Sequence, residues 1–228
     1  MTASPKSRKR ISKKQQRLAK KQRTSRLKTV RIGGIILIVV LALGGAYFWR
    51  TANQVPLAEL QALVEPNIDG NVDAPVRIVE FADFGCPACR TWHNAGIKEQ
   101  IQQDYGDQVA FEFRHFPVIT AQSPQAAEAG QCAAEQDEFW TYHDYVYENT
   151  PQNALSRSDL KSYATAVGLN QAQFDECLDS GKYAPYVRHD WDAALDAGAR
   201  GTPTFMVNGR RVNPSYNELA AIIEQELE

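Results

Sequence analysis

The stretch VRIVEFADFGCPACRTWH, residues 76–93, joins a predicted strand to a predicted helix through two cysteines. Residues 76–84 have the β-branched and aromatic content of a buried strand, and residues 87–103 are predicted to form a helix. Cys86 and Cys89 are therefore three positions apart at the point where the strand ends and the helix begins. This spacing places both thiols within one helical turn.

The position of the two thiols on the helix predicts different roles for them. At a helix start, Cys86 lies among unpaired backbone N–H groups at the positive end of the helix dipole, which stabilises a thiolate. We therefore expect Cys86 to be an exposed nucleophile and Cys89 to be the resolving thiol. A thiolate attacks a disulfide sulfur of a partner, and the second thiol then resolves the mixed disulfide. The motif predicts thiol–disulfide exchange.

A structural disulfide and half of a zinc site are the competing interpretations of the CxxC pair. A zinc site needs a second pair of ligands, and the other two cysteines, Cys132 and Cys177, are 45 residues apart. His93 could complete a C-x2-C-x3-H trio, but a helical histidine beside a redox motif is typical of a surface residue. His143, on a predicted helix face with Trp140, is interpreted as a packing or surface residue. We predict no metal site.

The rest of the chain from about residue 70 alternates in the manner of an α/β protein. Residues 108–116 are predicted to form a second strand, and a helical insertion of about four helices covers residues 122–198. Asn208 and Gly209 predict a hairpin between two short strands, and residues 214–227 predict a final amphipathic helix. The order β-α-β, helical block, β-β-α predicts an α/β sheet interrupted by a helical insertion.

The charges are distributed unevenly along the chain. The 228 residues have a formal net charge of −2, but residues 1–31 contain 13 basic residues and no acidic ones. From residue 51 onward, 11 basic residues stand against all 27 acidic residues, a net charge of −16. An acidic surface of this kind argues against nucleic acid as a partner of the C-terminal part.

An uncharged run, residues 32–49, follows the basic leader and would reach roughly 27 Å as a helix, close to the thickness of a hydrocarbon core. The basic residues before it and an aromatic group at its far end predict one membrane helix with a cytoplasmic N-terminus. A linker or short helix, residues 50–69, would then lead to an extracytoplasmic domain, residues 70–228. A cleaved signal peptide and a buried core helix are the alternatives for residues 32–49.

Four separated motifs resemble one known family. In order and spacing they are similar to the DsbA-like thiol:disulfide oxidoreductases of the thioredoxin superfamily, especially the membrane-anchored bacterial branch. The resemblance covers about residues 70–228 and excludes the leader and the membrane helix. The motifs are IVEFADFGCPACRTWH (78–93), FRHFPV (113–118), QCAAEQDEFWTYHD (131–144) and GTPTFMVNG (201–209).

The resemblance implies roles for several residues. Glu80 occupies the place of the buried acid that relays protons for the inner cysteine; an exposed strand carboxylate is the alternative. Pro203 matches the cis-proline whose loop packs against the active-site cysteines, and Thr202 would offer its backbone to a bound peptide. Pro87 and Ala88, between the cysteines, would also contact the substrate.

The family also implies a structural disulfide between Cys132 and Cys177, with two buried free thiols or a second redox relay as alternatives. The cofactor is expected to be the Cys86–Cys89 disulfide alone. The expected partners are client proteins with thiols, a membrane redox protein that recycles the dithiol, and the bilayer around residues 32–49.

The preferred direction of exchange is oxidation of client thiols outside the bacterial cytoplasmic membrane. Pro87 and Ala88 stand where the strongest oxidants of the family have a histidine, so reductase or isomerase activity remains an alternative. An isomerase usually needs a dimerisation domain, which the sequence does not indicate. An alternative of another class is a peptide-binding module of the same fold without turnover.

Overall fold

The strand that precedes the cysteines is held at the centre of a sheet in the computed structural model of the protein. The model describes residues 66–152 and 154–228, together with residues 40–41, 44–45, 56 and 58–59. The sheet and the helices described below all belong to the compact unit Val55–Glu228.

The predicted N-terminal segments fall largely outside the described residues. This holds for all of the basic leader, 1–31, and for most of the predicted membrane helix, 32–49, and of the linker, 50–69. In the described part of the chain, no helix is both long enough and apolar enough to cross a membrane.

Five strands form one mixed sheet in the order β1-β3-β2-β4-β5. The central strand β2 runs parallel to β3 and antiparallel to β4, and the edge strands β1 and β5 are antiparallel to their neighbours. The β-branched and aromatic content of β2 suits this position, since a central strand is covered by neighbours on both sides. The strands are β1 (Ile68–Gly70), β2 (Val76–Ala82), β3 (Val109–His115), β4 (Thr204–Val207) and β5 (Arg210–Val212).

The register of the sheet places Glu80 in its interior. On β2, Glu80 is paired with Phe113 of β3 on one side and with Phe205 of β4 on the other. The strand ends at Ala82, four residues before Cys86. The cysteine pair therefore lies just beyond the carboxyl end of the central strand.

Eight helices are described, and they divide into a group on the sheet and an inserted group. Trp92 of α1, Ile101 of α2 and Ile223 of α8 pack with residues of the central strands in one core cluster. The inserted helices form a second cluster that includes Cys86 and Cys89. The helices are α1 (Pro87–Asn94), α2 (Ile97–Tyr105), α3 (Ser123–Ala134), α4 (Phe139–Asn149), α5 (Arg157–Ala166), α6 (Gln171–Ser180), α7 (Ala184–Asp196) and α8 (Tyr216–Leu227).

Two helix predictions were wrong in detail. The single helix predicted over 87–103 is divided at Gly96, whose φ of +67° lies in the left-handed region that glycine adopts without strain. Between Ser123 and Asp196 the described residues form five helices rather than about four. The additional break, between α3 and α4, contains Asp137 at φ +61°, so neither a glycine nor a proline marked it in the sequence.

The predicted hairpin between β4 and β5 is confirmed. Asn208 and Gly209 adopt φ values of +46° and +82°, as a type I′ turn requires of both central residues. The Asn208 side-chain oxygen accepts a hydrogen bond from the backbone N–H of Arg77 at 2.9 Å. This contact joins the turn to β2, so β4 and the loop before it are held beside the central strand.

Candidate active site

The cysteine motif lies at the start of α1. Cys86 is the N-cap residue, with extended backbone at φ −85° and ψ 119°, and Pro87 occupies the first turn. Proline suits this position because it has no N–H to leave unpaired and its φ matches the helix. Of the N–H groups in the first turn, those of Ala88 and Cys89 help to lower the pKa of the Cys86 thiol.

Both thiols of the motif are free, and both are buried. Cys86 is 3% exposed and Cys89 is fully covered, so the expectation of an exposed Cys86 was wrong. The loop that ends in Pro203 covers Cys86, whose Sγ lies 3.2 Å from the carbonyl oxygen of Thr202, a distance at which the protonated thiol donates a hydrogen bond. Pro87 and Ala88, between the cysteines, are exposed to solvent.

The environments of the two thiols shift their pKa values in opposite directions. Hydrogen bonding from the Cys89 thiol, supported by the backbone N–H groups of Ala88 and Cys89, lowers the pKa of Cys86 to about 6, although burial opposes this. Burial raises the pKa of Cys89, and the hydrogen bond to Cys86 and the charge of Glu80 act in the same direction. At neutral pH, Cys86 is therefore mainly a thiolate and Cys89 a thiol.

Glu80 is a buried carboxyl group beneath the dithiol. It is 7% exposed, and burial raises its pKa to about 8 while the charge of Lys98 opposes the shift. Glu80 and Cys86 affect each other electrostatically, as do Glu80 and Cys89. Because the pKa lies close to neutrality, this carboxyl group can hold or release a proton under physiological conditions.

Lys98 is a buried cation that the sequence did not single out. Its Nζ lies 2.5 Å from a carboxylate oxygen of Asp69 and 4.6 Å from the ring centroid of Trp140. The lysine belongs to α2, whereas Asp69 belongs to β1 and Trp140 to α4. Sequence spacing offers no signal for a contact between three separate elements.

The loop before β4 faces the dithiol. The Thr202–Pro203 peptide bond is cis, and both residues are half-buried. The carbonyl oxygen of Thr202 contacts Cys86, and the Thr202 hydroxyl is buried without a hydrogen-bond partner among the described residues. The structure thus places the carbonyl group of Thr202, which precedes the cis bond to Pro203, beside the Cys86 sulfur.

Asp83 organises the turn between β2 and the cysteines, and the sequence reasoning missed it. One carboxylate oxygen accepts a hydrogen bond from the N–H of Gly85 at 2.7 Å. The other accepts from the N–H groups of Val118 and Ile119, both at 2.8 Å. An aspartate at a strand end with glycine two positions later is typical of an Asx turn, so a local signal was present.

Arg90 connects α1, the helix that begins at the cysteine motif, to the inserted helix α4. Its Nη1 donates to the backbone carbonyl oxygens of Tyr147 at 2.5 Å and Thr150 at 2.8 Å, at the end of α4. The Tyr147 hydroxyl in turn donates to the backbone carbonyl of Asp83 at 3.2 Å. These contacts span about 60 residues of sequence, which is why no motif revealed them.

The remaining two cysteines form a disulfide in the structure. Cys132 of α3 and Cys177 of α6 are bonded, with their Cα atoms 5.8 Å apart. Both are buried in the same core cluster as Cys86 and Cys89. The bridge therefore crosslinks the inserted helices that pack against the dithiol.

His93 is not the surface residue that the sequence predicted. It is 7% exposed, because the last turn of α1 packs against α4. Its Nε2 lies 3.3 Å from a carboxylate oxygen of Glu148, and its ring centroid is 5.1 Å from that of His143. The ring of His143 is buried as well, so of the two roles expected for it, packing or helix surface, the structure shows packing.

The fold and the site define a class of protein: an α/β sheet whose central strand leads to a helix-start CxxC pair, opposite a cis-proline loop. The family model described as Thioredoxin matches residues 64–225. A probable disulfide bond formation protein D of Bacillus anthracis is 30% identical over 88% of this chain and 97% of its own length. The crystal structure of oxidised BdbD from Bacillus subtilis aligns with a TM-score of 0.66 and 30% identity, covering 71% of this chain and 92% of that one.

These similarities show that the chain belongs to the thioredoxin family, among its DsbA-like thiol:disulfide oxidoreductases. The predicted family, the thioredoxin-like fold and the predicted enzyme class are thereby confirmed. The chain is also 34% identical to the Na(+)/H(+) antiporter NhaA of Herminiimonas arsenicoxydans, over 85% of this chain. That match spans only 32% of the antiporter's length.

Proposed function

We propose that this protein is a membrane-anchored, extracytoplasmic oxidoreductase that oxidises pairs of thiols in client proteins through Cys86 and Cys89. The observation that carries the proposal is the contrast between the two thiols. The pKa of Cys86 is lowered to about 6, whereas that of the covered Cys89 is raised. In such a pair, the sulfur of lower pKa forms the mixed disulfide and later leaves as a thiolate. The second sulfur stays protonated until it resolves the mixed disulfide.

The oxidised enzyme would begin with a Cys86–Cys89 disulfide. A client thiolate attacks Sγ of Cys86, forming a mixed disulfide, while the S–S bond breaks and Cys89 takes the electron pair. Glu80, with its pKa raised to about 8, is protonated at neutral pH and donates its proton to the departing Cys89 sulfur. The Thr202 backbone beside Cys86 would pair with the client backbone, and the exposed Pro87 and Ala88 would contact the client side chains.

The second client thiolate then attacks the client sulfur of the mixed disulfide. Cys86 leaves as a thiolate, the client gains a disulfide, and the enzyme keeps two electrons as the reduced dithiol. The low pKa of Cys86 favours this step because a sulfur of lower pKa leaves faster. A membrane redox protein would accept the two electrons and restore the Cys86–Cys89 disulfide, which is the only cofactor in this scheme.

Oxidation is the preferred direction because a stabilised thiolate lowers the free energy of the reduced enzyme. A pKa of about 6 for Cys86 is below the value of about 7 in thioredoxin and above the value of about 3.5 in DsbA. A dithiol with a more stable reduced form is a stronger oxidant of other thiols. Reductase or isomerase activity at the same site is the second candidate, since this pKa is intermediate.

The location rests on two further observations. The uncharged run 32–49 follows 13 basic residues, the pattern of a membrane helix with its N-terminus in the cytoplasm. The Cys132–Cys177 disulfide is of a kind that persists in oxidising compartments outside the cytoplasm. An anchor of this kind would hold the acidic domain close to the membrane that carries its redox partner.

Three measurements test the proposal. The reduction potential of the Cys86/Cys89 pair, equilibrated with glutathione, should lie above about −200 mV; a value near −270 mV would indicate a reductase instead. In cells, a Cys89→Ser variant should accumulate mixed disulfides with clients through Cys86, and the matched Cys86→Ser variant should not. Full complementation of a deletion by Cys86→Ala would refute the enzyme and support a module that only binds peptides.

A further inference from the structure

A second cluster of potential ligand atoms lies between α1 and α4. His93 comes from the last turn of α1, and His143, Asp144 and Glu148 come from α4. One donor atom from each of His93, His143 and Asp144 lies within 4.8 Å of the other two. The Nε2 atom of His93 is also 3.3 Å from Oε1 of Glu148.

We propose that these four residues, the α1–α4 histidine cluster, bind a divalent transition metal ion of the zinc type. Two imidazoles with one or two carboxylates form the ligand set that zinc accepts in proteins. Calcium and magnesium prefer sites built from oxygen atoms alone, so the two histidines select against them. This inference goes beyond the proposed disulfide exchange and does not depend on it.

The interatomic distances suit such an ion. Zinc binds imidazole nitrogen and carboxylate oxygen at about 2.0–2.2 Å, which places tetrahedral ligand atoms roughly 3.4 Å apart. The His93 Nε2 atom lies 3.3 Å from Glu148 Oε1 and 4.0 Å from Asp144 Oδ1. The distance from His143 Nδ1 to Asp144 Oδ1 is 2.7 Å. The donor atoms of His93, His143 and Asp144 lie within 4.8 Å of one another, and the Glu148 carboxylate would have to turn toward them to complete the set.

The surroundings hold the imidazoles and leave a path for the ion. The His143 ring packs against the rings of Phe139 and Tyr147, with centroid distances of 5.7 and 4.8 Å. The carboxylate side chains of Asp144 and Glu148 are 41% and 55% exposed. Buried nitrogen ligands beneath solvent-exposed oxygen ligands give both a packed half-site and an entry path for the ion.

A bound ion would connect α1, the helix that begins at the cysteine motif, to α4 of the inserted helices. His93 lies four residues, or about one turn, after Cys89 on α1, and the other three ligands belong to α4. A ligand that binds only the folded state stabilises it in proportion to its concentration and affinity. The competing interpretation is a pair of ordinary contacts, His93 with Glu148 and His143 with Asp144, that bind no metal.

Metal titration of the full chain in detergent distinguishes these interpretations. The protein is prepared without a polyhistidine tag, stripped with a chelator and held with Cys86 and Cys89 as a disulfide, so that no free thiol competes for the ion. Zinc chloride is then added in a calorimeter. We expect one equivalent to bind and the unfolding temperature to rise with zinc. Absence of stoichiometric binding by this oxidised protein overturns the proposal.

Variants locate the ion. His93→Gln should weaken zinc binding at least tenfold, and Glu148→Gln, at an exposed side chain that leaves the core intact, should weaken it to a smaller extent. His189→Gln is the matched control, because His189 lies on α7 and is not a member of the cluster. Zinc binding by His93→Gln with unchanged affinity would place the ion elsewhere and overturn the proposal. The disulfide-exchange rate is measured separately, so failure here leaves the proposed function unaffected.

Discussion

Removal of the Cys132–Cys177 disulfide should lower the free energy of unfolding of the domain. The size of the decrease depends on the number of residues in the loop that the disulfide closes. The bridge joins residues separated by 45 positions, and both sulfurs are buried between α3 and α6. In the chain-entropy model, a loop of this length contributes about 4 kcal/mol, because the crosslink restricts the unfolded chain. The perturbation is the double variant Cys132→Ala/Cys177→Ala.

Thermal unfolding followed by circular dichroism measures the effect. For a domain of this size, 1 kcal/mol shifts the unfolding midpoint by about 2–4 °C, so the variant should unfold roughly 8–16 °C below the wild type. The Cys86–Cys89 pair is kept oxidised in both proteins, so that only the bridge in the insertion differs. The exchange rate of the Cys86 thiol should change little, since its hydrogen-bond partners are not in α3 or α6.

A chemical control separates the crosslink from the volume of the lost sulfurs. In a Cys86→Ala/Cys89→Ala background, a phosphine reductant opens the Cys132–Cys177 bond without removing an atom from the core. The unfolding midpoint should fall by nearly the same amount on reduction. A fall of less than about 3 °C in both experiments would refute the loop-closure reasoning, because it would place the contribution of the bridge well below the entropic value.

Two further predictions concern ionisable groups near the dithiol, the buried Glu80 and the half-buried Arg90. The pKa of Glu80 is raised from 4.5 to about 8, so the folded state keeps a proton that the unfolded chain loses, and wild-type stability falls as the pH rises through this window. Glu80→Gln should abolish that fall in stability. In urea unfolding at pH 8, its free energy of unfolding should exceed that of the wild type by as much as about 4 kcal/mol. A difference between the two proteins that does not change with pH would contradict the burial of the carboxyl group. Arg90→Met keeps an apolar stem but leaves the carbonyls of Tyr147 and Thr150 without their donor, which should cost about 2–3 kcal/mol in the same assay. Unchanged stability would mean that solvent replaces the arginine.

Much of the fold could be predicted because its signals are local. The strand 76–82, the helix start at Cys86 and the Asn208–Gly209 turn each depend on residues within a few positions of one another. The helix break at Asp137 was not predicted, because its aspartate adopts the left-handed conformation and no neighbouring residue indicated it.

The candidate site was predictable in its sulfur chemistry and not in its environment. The three-residue spacing at a helix start predicted Cys86 as the nucleophile, and the structure gives the lower pKa to the same thiol. The burial of Cys86 was not predictable, because the group that covers it, Thr202, is 116 residues away. The buried His93 was missed for the same reason, since its neighbours belong to α4.

The sequence by itself determined the strand, the cysteine spacing, the helix start and the contrast between a basic leader and an acidic domain. These follow from backbone preferences and charges that each segment carries wherever it is placed. Tertiary structure decided the surroundings of the site: the burial that raises the pKa of Glu80, the covering of Cys86 by Thr202, and the packing that brings Cys132 to Cys177. The physical reason is that desolvation and hydrogen bonding depend on which distant segments pack together, and no single segment contains that information.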